Sequence, residues 1–411
     1  MKGAYKQFAA SPLDAEFNVV SAWDVERRKA AFFRALALMF GATGAVYGFN
    51  RCSLGLRSIV VRLLWLAVSS FFDDFPQLEF EATAQSAAAA FDGVCRLLGW
   101  GLKEVVVGTS PRGEEVMGLP SFDKSFVALG GLITLGGEEG QVASVGQKPG
   151  RIADLSGDLD RIEERARMTA KEAEVLRGKV RYAACTIYGR CGAVALRALG
   201  QVVARKQPTP TSDPSLGMAI RLIRGILGDT SPRVIPRSLS LERPTLIFSD
   251  GACDDDGAVV TVGALLWSPR APRPEFFHWA VPEEVKEGWR SRVEQKQLIH
   301  QAELFPVWAA SRLWGRYLTD APVLRFIDND AARYNLIGAT GRSEAAAALV
   351  QGFWQEERMN RSRTWFDRVE SSANPGDDPS RGKRGSHLLR GVREVDAVAV
   401  CEAIAREAAI L

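Results

Sequence analysis

The stretch Thr245-Leu246-Ile247-Phe248-Ser249-Asp250-Gly251-Ala252 decides the fold. An apolar, β-prone run leads into an acid and a glycine, which reads as a buried strand ending on a carboxylate. Residues 257–267 follow as a second strand, with Asp254-Asp255-Asp256-Gly257 as the turn between them. Further on, the pattern predicts a helix over 295–318, a strand over 322–328 and a helix over 342–360. A strand over 364–370 and a terminal helix from about residue 392 complete it. Adjacent strands followed by alternating helix and strand argue an α/β domain over 243–411.

Upstream the signals are mixed. Residues 17–23, 105–107 and 126–134 read as strands, and 27–39, 49–67 and 81–98 as helices. Residues 70–78 read as strand, turn, strand around Phe71-Phe72-Asp73-Asp74-Phe75. Residues 158–204 are helical, with breaks near Thr169 and Gly189. Residues 206–214 hold three prolines and read as a linker. A short helix over 218–227 and a second Pro/Ser/Arg connector over 233–244 follow. The expected organisation is an α+β and α/β multidomain chain with parts at 1–145, 146–242 and 243–411.

A chain of 411 residues, 46% apolar and 25% charged, is not mainly disordered. The net charge of +3 is uneven. Residues 161–206 carry 11 basic against 4 acidic side chains and residues 207–240 carry 4 against 2, so this middle holds +9 and the rest −6. Such a basic middle suits a nucleic-acid track, and also suits an ordinary solvated helical face. Six cysteines without a C-x-x-C pair, and only three histidines, argue against a structural zinc site. The longest mostly apolar run, residues 63–72, falls short of the roughly 20 residues that span a bilayer. No secretory signal is visible, and the expected location is intracellular, in cytoplasm or nucleus, without a membrane partner.

Four carboxylates stand at telling places in the last third. Asp250 and Asp328 each end an apolar strand, Glu303 lies inside a helix, and Asp377 opens the segment after Asn374-Pro375-Gly376. One acid at a strand end is ordinarily a cap or a turn residue. Four from different elements can converge at a sheet edge, where their repulsion calls for a hard cation such as Mg2+ or Mn2+. Two such ions suit phosphodiester hydrolysis. Phe248-Ser249-Asp250-Gly251-Ala252, Gln301-Ala302-Glu303-Leu304, Phe326-Ile327-Asp328-Asn329 and Asn374-Pro375-Gly376-Asp377-Asp378-Pro379-Ser380-Arg381 resemble the four motifs of a ribonuclease H domain in retroelement polyproteins. The resemblance implies a two-metal site on Asp250, Glu303, Asp328 and Asp377, with Asp378 as the alternative fourth acid. Many of these nucleases place a histidine just before the last aspartate. Here the nearest in sequence is His387, after it.

A second resemblance covers residues 1 to about 200. Met1-Lys2-Gly3-Ala4-Tyr5-Lys6-Gln7 is similar to the first palm motif of reverse transcriptases, D-x-K-x-A-Y-x-Q. Phe40-Gly41-Ala42-Thr43-Gly44-Ala45 resembles their second motif, and Phe71-Phe72-Asp73-Asp74 their Y-x-D-D. Lys124 with Val127-Ala128-Leu129-Gly130 resembles the late lysine and the primer-grip hairpin, and 169–180 the thumb and connection helices. The resemblance implies a partial palm with a ferredoxin-like sheet and a helical thumb and connection. In it Asp73 holds metal beside Asp74, and Tyr5, Phe40, Gly41 and Lys124 meet the nucleotide. The family's first metal-binding Asp would fall just before Met1, and the fingers are absent. Polymerisation would therefore need a missing segment or a partner chain.

Together these readings imply a retroelement-derived protein that hydrolyses RNA in RNA–DNA hybrids beside an incomplete polymerase module. Arg177, Lys179, Arg181 and Arg190 in the basic middle are the candidate phosphate contacts. The alternative is a catalytically dead fragment that only binds nucleic acid. Trp308, Trp314 and Trp354 read as core residues rather than base-stacking platforms.

Overall fold

The computed structural model describes residues 4–14, 16–39, 41–109, 115–136, 141–184, 186–187, 189–228, 231–236, 243–254, 257–291, 298–341 and 343–410. Two compact units emerge, Met1–Lys124 and Ser125–Leu411.

In the first unit, strands β1 (Val19–Asp24) and β2 (Lys29–Arg34) precede helices α1 (Thr43–Leu64) and α2 (Ala84–Leu97), and β3 (Val105–Thr109) and β4 (Glu115–Gly118) follow. The two helices share a core of Leu56, Val60, Phe91 and Cys95, closed by Leu66 and Val68. Residues 27–39 hold a strand where a helix was expected. Arg28 sits at φ 51° and turns the chain, so that Lys29–Arg34 pairs antiparallel with Val19–Asp24. A β-prone partner one tight turn away outweighs the helical spacing of this stretch. Residues 70–78 make single bridges, Val68 to Gln77 and Phe71 to Asp74, in place of paired strands. Pro76 brings no amide to a ladder there. Among the described residues the strands of this unit form two separate hairpins, not the ferredoxin-like sheet expected of a palm.

The second unit begins with β5 (Ser125–Ala128), β6 (Gly131–Leu135) and β7 (Gln141–Gln147). Residues 126–134 are thus a hairpin rather than one strand. Leu129 and Gly130, at φ 49° and 77°, form its left-handed turn. Helices α3 (Arg151–Glu164), α4 (Ala170–Ala184), α5 (Gly192–Arg205) and α6 (Pro214–Leu227) follow, with the two-residue strands β8 (Arg167–Met168) and β9 (Thr209–Pro210) between them. β10 (Arg233–Pro236) then pairs with β7. Two of these helices, α4 and α6, begin at side-chain caps. Thr169 Oγ1 accepts the Glu172 amide while Glu172 Oε2 accepts the Thr169 amide, a capping box. Asp213 Oδ1 accepts the amides of Ser215 and Leu216.

The remainder holds β11 (Thr245–Asp254), β12 (Val259–Trp267), β13 (Glu275–Ala280), α7 (Glu283–Arg290), α8 (Ile299–Leu313), α9 (Gly315–Leu318), β14 (Pro322–Ile327), α10 (Asp330–Gly338), α11 (Glu344–Asn360), β15 (Arg363–Arg368), α12 (Asp377–Ser380), β16 (Arg393–Glu394) and α13 (Val398–Ile410). The sheet runs β15-β14-β11-β12-β13-β16. β12 is antiparallel to both of its neighbours, β11 and β13, whereas β14 and β15 run parallel to β11. Helices α8, α11 and α13 build the main core with the sheet through Phe277, Phe305, Trp308, Trp314, Phe353 and Ile404. Trp308 and Trp314 are fully buried and Trp354 nearly so, in keeping with core roles. Inside that core Arg325 donates to Glu357 at 2.7 Å, and Ser362 and Thr364 donate to the same carboxylate. Ile187 and Cys191, between α4 and α5, and Ile226 of α6 join this core.

Candidate active site

β11 is the strand at which the sheet changes from antiparallel to parallel pairing, the kind of position where open sheets place ligands. Its parallel register with β14 sets Phe248 beside Phe326, and the two rings stack at 4.6 Å. Asp250 and Asp328 each lie two residues beyond these phenylalanines. Side chains alternate along a strand, so both acids leave the sheet on the phenylalanine side, next to each other. The last paired positions are Phe248 and Phe326, so the acids stand where the two strands part.

Glu303 reaches this point from α8, and Gly251 lets it do so. A Cβ on Gly251 would lie 2.3 Å from the Ala302 carbonyl carbon and oxygen and 2.7 Å from the Glu303 nitrogen. Only a glycine permits helix backbone so close to the strand. Pro306, inside the helix, lacks the amide that would otherwise bond the Ala302 carbonyl. The Gly251 amide and the Asn329 side chain favour the charged form of the Glu303 carboxylate, against the effect of its burial. Asn329 is itself fixed, because its Oδ1 accepts the Ala332 amide at the start of α10.

One ligand-capable oxygen from each of Asp250, Glu303 and Asp328 falls within 4.8 Å of the others. Asp250 and Glu303 are each only 6% exposed. Burial, above all, pushes the Asp250 carboxyl up to about 6, and the charges of Asp328 and Asp377 add to this against a hydrogen bond from Ser380. Burial first, then Asp250 and Asp328, raises Glu303 well above the usual carboxylate range. Glu303 Oε2 and Asp328 Oδ1 are buried without a hydrogen-bond partner. Unpaired buried oxygens among mutually repelling carboxylates are costly as they stand. A hard divalent cation fits this donor set, with its oxygen ligands and short spacing.

The loop before α12 is tied to the same strand. Asn374 is buried, accepts the Gly376 amide at 3.0 Å and donates to the Ser249 carbonyl at 3.5 Å. α12 then lies directly on β12, since a Cβ on Gly263 would meet the Ser380 nitrogen at 2.5 Å. Ser380 Oγ donates to Asp250 Oδ2. His278, across from Gly263 on β13, has Nδ1 2.9 Å from the Pro379 carbonyl. Ser380, Asn329 and His278 were not singled out from the sequence. The first two stand inside the quoted motifs, and His278 lies in a stretch whose strand went unread.

Asp377 sits beside this site but outside the close trio. Arg381 Nε donates to its Oδ1 at 2.6 Å and Lys383 Nζ to its Oδ2 at 2.9 Å. Those two cations outweigh the effect of burial and hold the carboxyl below its ordinary value. Asp378 accepts from Ser386 Oγ and lies 3.5 Å from Lys383. His387 forms a short 3-10 turn with Leu388 and Leu389.

In the first unit, Tyr5 stacks on Phe49 at 4.8 Å, and Ser53, one turn along α1, donates to the Phe72 carbonyl at 2.8 Å. Tyr5 and the Phe71–Asp74 turn therefore dock on neighbouring turns of one helix. Asp73 and Asp74 belong to no group of three metal-capable side chains among the described residues. Gly41 has φ 92° and Lys124 is exposed, while Phe40 lies outside the described residues. In the second unit Arg177 and Arg181 share an exposed face of α4. Lys179 is paired with Asp158, and Arg190 donates to the Ile337 carbonyl and lies over the Trp354 ring. Among the described residues no helix is long and apolar enough to cross a membrane.

The sequence matches no protein-family model and no curated protein. Solved structures match part of the chain. Ribonuclease H domains are among its structural neighbours. One is ribonuclease H1 from the halophilic archaeon Halobacterium salinarum, 15% identical, with a TM-score of 0.26 over 34% of this chain and 96% of that one. Another is the N-terminal ribonuclease H domain of a Mycobacterium tuberculosis protein, solved as a fusion with maltose-binding protein. It is 12% identical, with a TM-score of 0.26 over 34% of this chain and 91% of that one.

Proposed function

We propose that residues 243–411 form a metal-dependent nuclease of the ribonuclease H type, cutting the RNA strand of an RNA–DNA hybrid. The observation that carries this reading is the trio of Asp250, Glu303 and Asp328, with two buried oxygens left unpaired at the point where parallel strands part. Asp250, Glu303 and Asp328 would hold Mg2+ or Mn2+, with Asp377 as a further ligand. Bound there, the metal would activate water and stabilise the leaving oxygen. The chain's own residues do the positioning. Ser380 holds one oxygen of Asp250, and the Gly251 amide and Asn329 favour the charged form of Glu303. Arg177 and Arg181 are the candidate duplex contacts, giving sequence-independent and salt-sensitive affinity.

The test is cleavage of the RNA strand in a hybrid, with Mg2+ and with chelator, beside Asp328→Asn. Magnesium-dependent cutting that disappears in the variant supports the reading, and no cutting by folded protein refutes it. A second reading, binding without cutting, is favoured by the ion pairs that occupy both oxygens of Asp377. It predicts salt-sensitive hybrid binding without cleavage. The likeness of residues 1 to about 200 to a reverse transcriptase is kept as a proposal about descent. Asp73 and Asp74 carry no assigned reaction.

A further inference from the structure

The fourth acid of the site is occupied by the protein's own cations. Both oxygens of Asp377 accept hydrogen bonds, one from Arg381 and one from Lys383. Arg381 also reaches toward Asp254 at 3.9 Å, and Lys383 toward Asp378 at 3.5 Å. Two cations thus lie among three acids, at the rim of a trio that has two unpaired oxygens. These cations are roughly half exposed, at 44% and 52%, whereas the trio is mostly buried. They can therefore meet a polyanion before anything reaches the acids. Guanidinium and ammonium groups bind phosphate at least as readily as carboxylate.

Resting on the nuclease reading, we propose that Arg381 and Lys383 form a substrate-operated latch. At rest they hold Asp377 away from the metal-binding trio. When backbone phosphates of the duplex take both cations, Asp377 is released to become the fourth carboxylate. The metal and the nucleic acid then bind with positive coupling, and by linkage each tightens the other by the same factor. The latch costs no covalent step. It exchanges carboxylate–cation contacts for phosphate–cation contacts, and moves one negative charge toward the metal. Arg384 provides an internal comparison, because its partner is Glu394 and it touches none of these acids.

The experiment is a calorimetric titration of the full chain with Mg2+, alone and with an RNA–DNA duplex carrying 2′-O-methyl groups on its RNA strand to block cleavage. The expected result is that the duplex tightens Mg2+ by about tenfold, within the usual range of such couplings. R381A/K383A should bind Mg2+ more tightly than the parent without duplex and gain little from adding it. R384A removes one equivalent charge and should keep the coupling. D377N should bind Mg2+ with no duplex effect. Duplex-independent Mg2+ affinity in the parent chain, or R381A/K383A matching it in both conditions, overturns the latch while leaving the trio as a metal site. If Mg2+ binding is undetectable and unchanged by Asp328→Asn, the nuclease reading itself fails and the latch with it.

Discussion

Replacing Asp250 with asparagine should stabilise the metal-free protein at neutral pH. Buried beside Asp328 and near Asp377, the Asp250 carboxyl is pushed from 3.8 up to about 6. That is a shift of roughly two pKa units, worth about 3 kcal/mol at 1.36 kcal/mol per unit. The sign follows from proton counts. Between the unfolded value near 4 and about 6, the folded state keeps a proton that the unfolded chain has lost, so stability falls as pH rises through this window. The contribution is complete below the unfolded value and absent above about 6. Glu303, shifted the same way, extends the decline upward. The carboxamide introduced by D250N keeps an oxygen for Ser380 and carries no charge. At pH 8 and without metal, D250N should be more stable than the parent by about 2–3 kcal/mol, or roughly 5–10 °C in Tm. Its stability should also vary less between pH 4 and 6. Fluorescence-detected unfolding suits the assay, because Trp308 and Trp314 are buried in this core. Millimolar Mg2+ should restore the parent and leave D250N unmoved. A destabilised D250N with an unchanged pH slope would refute the view of these acids as a strained, metal-seeking group.

Three further outcomes follow from the packing. Gly251→Ala would place a methyl 2.3 Å from the Ala302 backbone, so α8 must retreat by about 1 Å; we expect a loss of about 3 kcal/mol and a roughly hundredfold drop in cleavage, read by unfolding and by rate. Arg325→Met leaves Glu357 charged in the core and should cost about 3–5 kcal/mol in denaturant unfolding, while R325M/E357Q should recover part of it. Asn374→Ala frees the loop before α12 from the Ser249 carbonyl and should cost about 1–2 kcal/mol, with a larger loss of hybrid cleavage than of hybrid binding.

Much of the acid trio was legible in the sequence because each acid is announced locally. Asp250 and Asp328 each follow a short apolar run, although β11 continues past Asp250 to Asp254, and the parallel register of Phe248 with Phe326 turns their common offset into adjacency. Glu303 was legible from the motif Gln301-Ala302-Glu303-Leu304 inside a helix. The approach of α8 was not, because it depends on Gly251 and Pro306 acting across the sheet. The ion pairs of Asp377 also escaped, since which acid Arg381 and Lys383 meet depends on how the chain turns after α12. β13 went unread because Glu275, Phe276 and Phe277 are buried in succession, which erases the alternation a half-exposed strand would show. Glu275 itself is taken up by Trp314 and Arg393. In the first unit, local motifs were legible but the sheet they implied was not formed among the described residues. Residues 27–39 show how a nearby strand partner can override helical spacing.

The most direct test of the central claim is anomalous diffraction from a crystal of the full chain soaked in Mn2+. The account predicts a manganese peak among the facing oxygens of Asp250, Glu303 and Asp328, lost in Asp328→Asn. A soaked crystal with no peak at that trio, or with manganese bound only elsewhere, would contradict it.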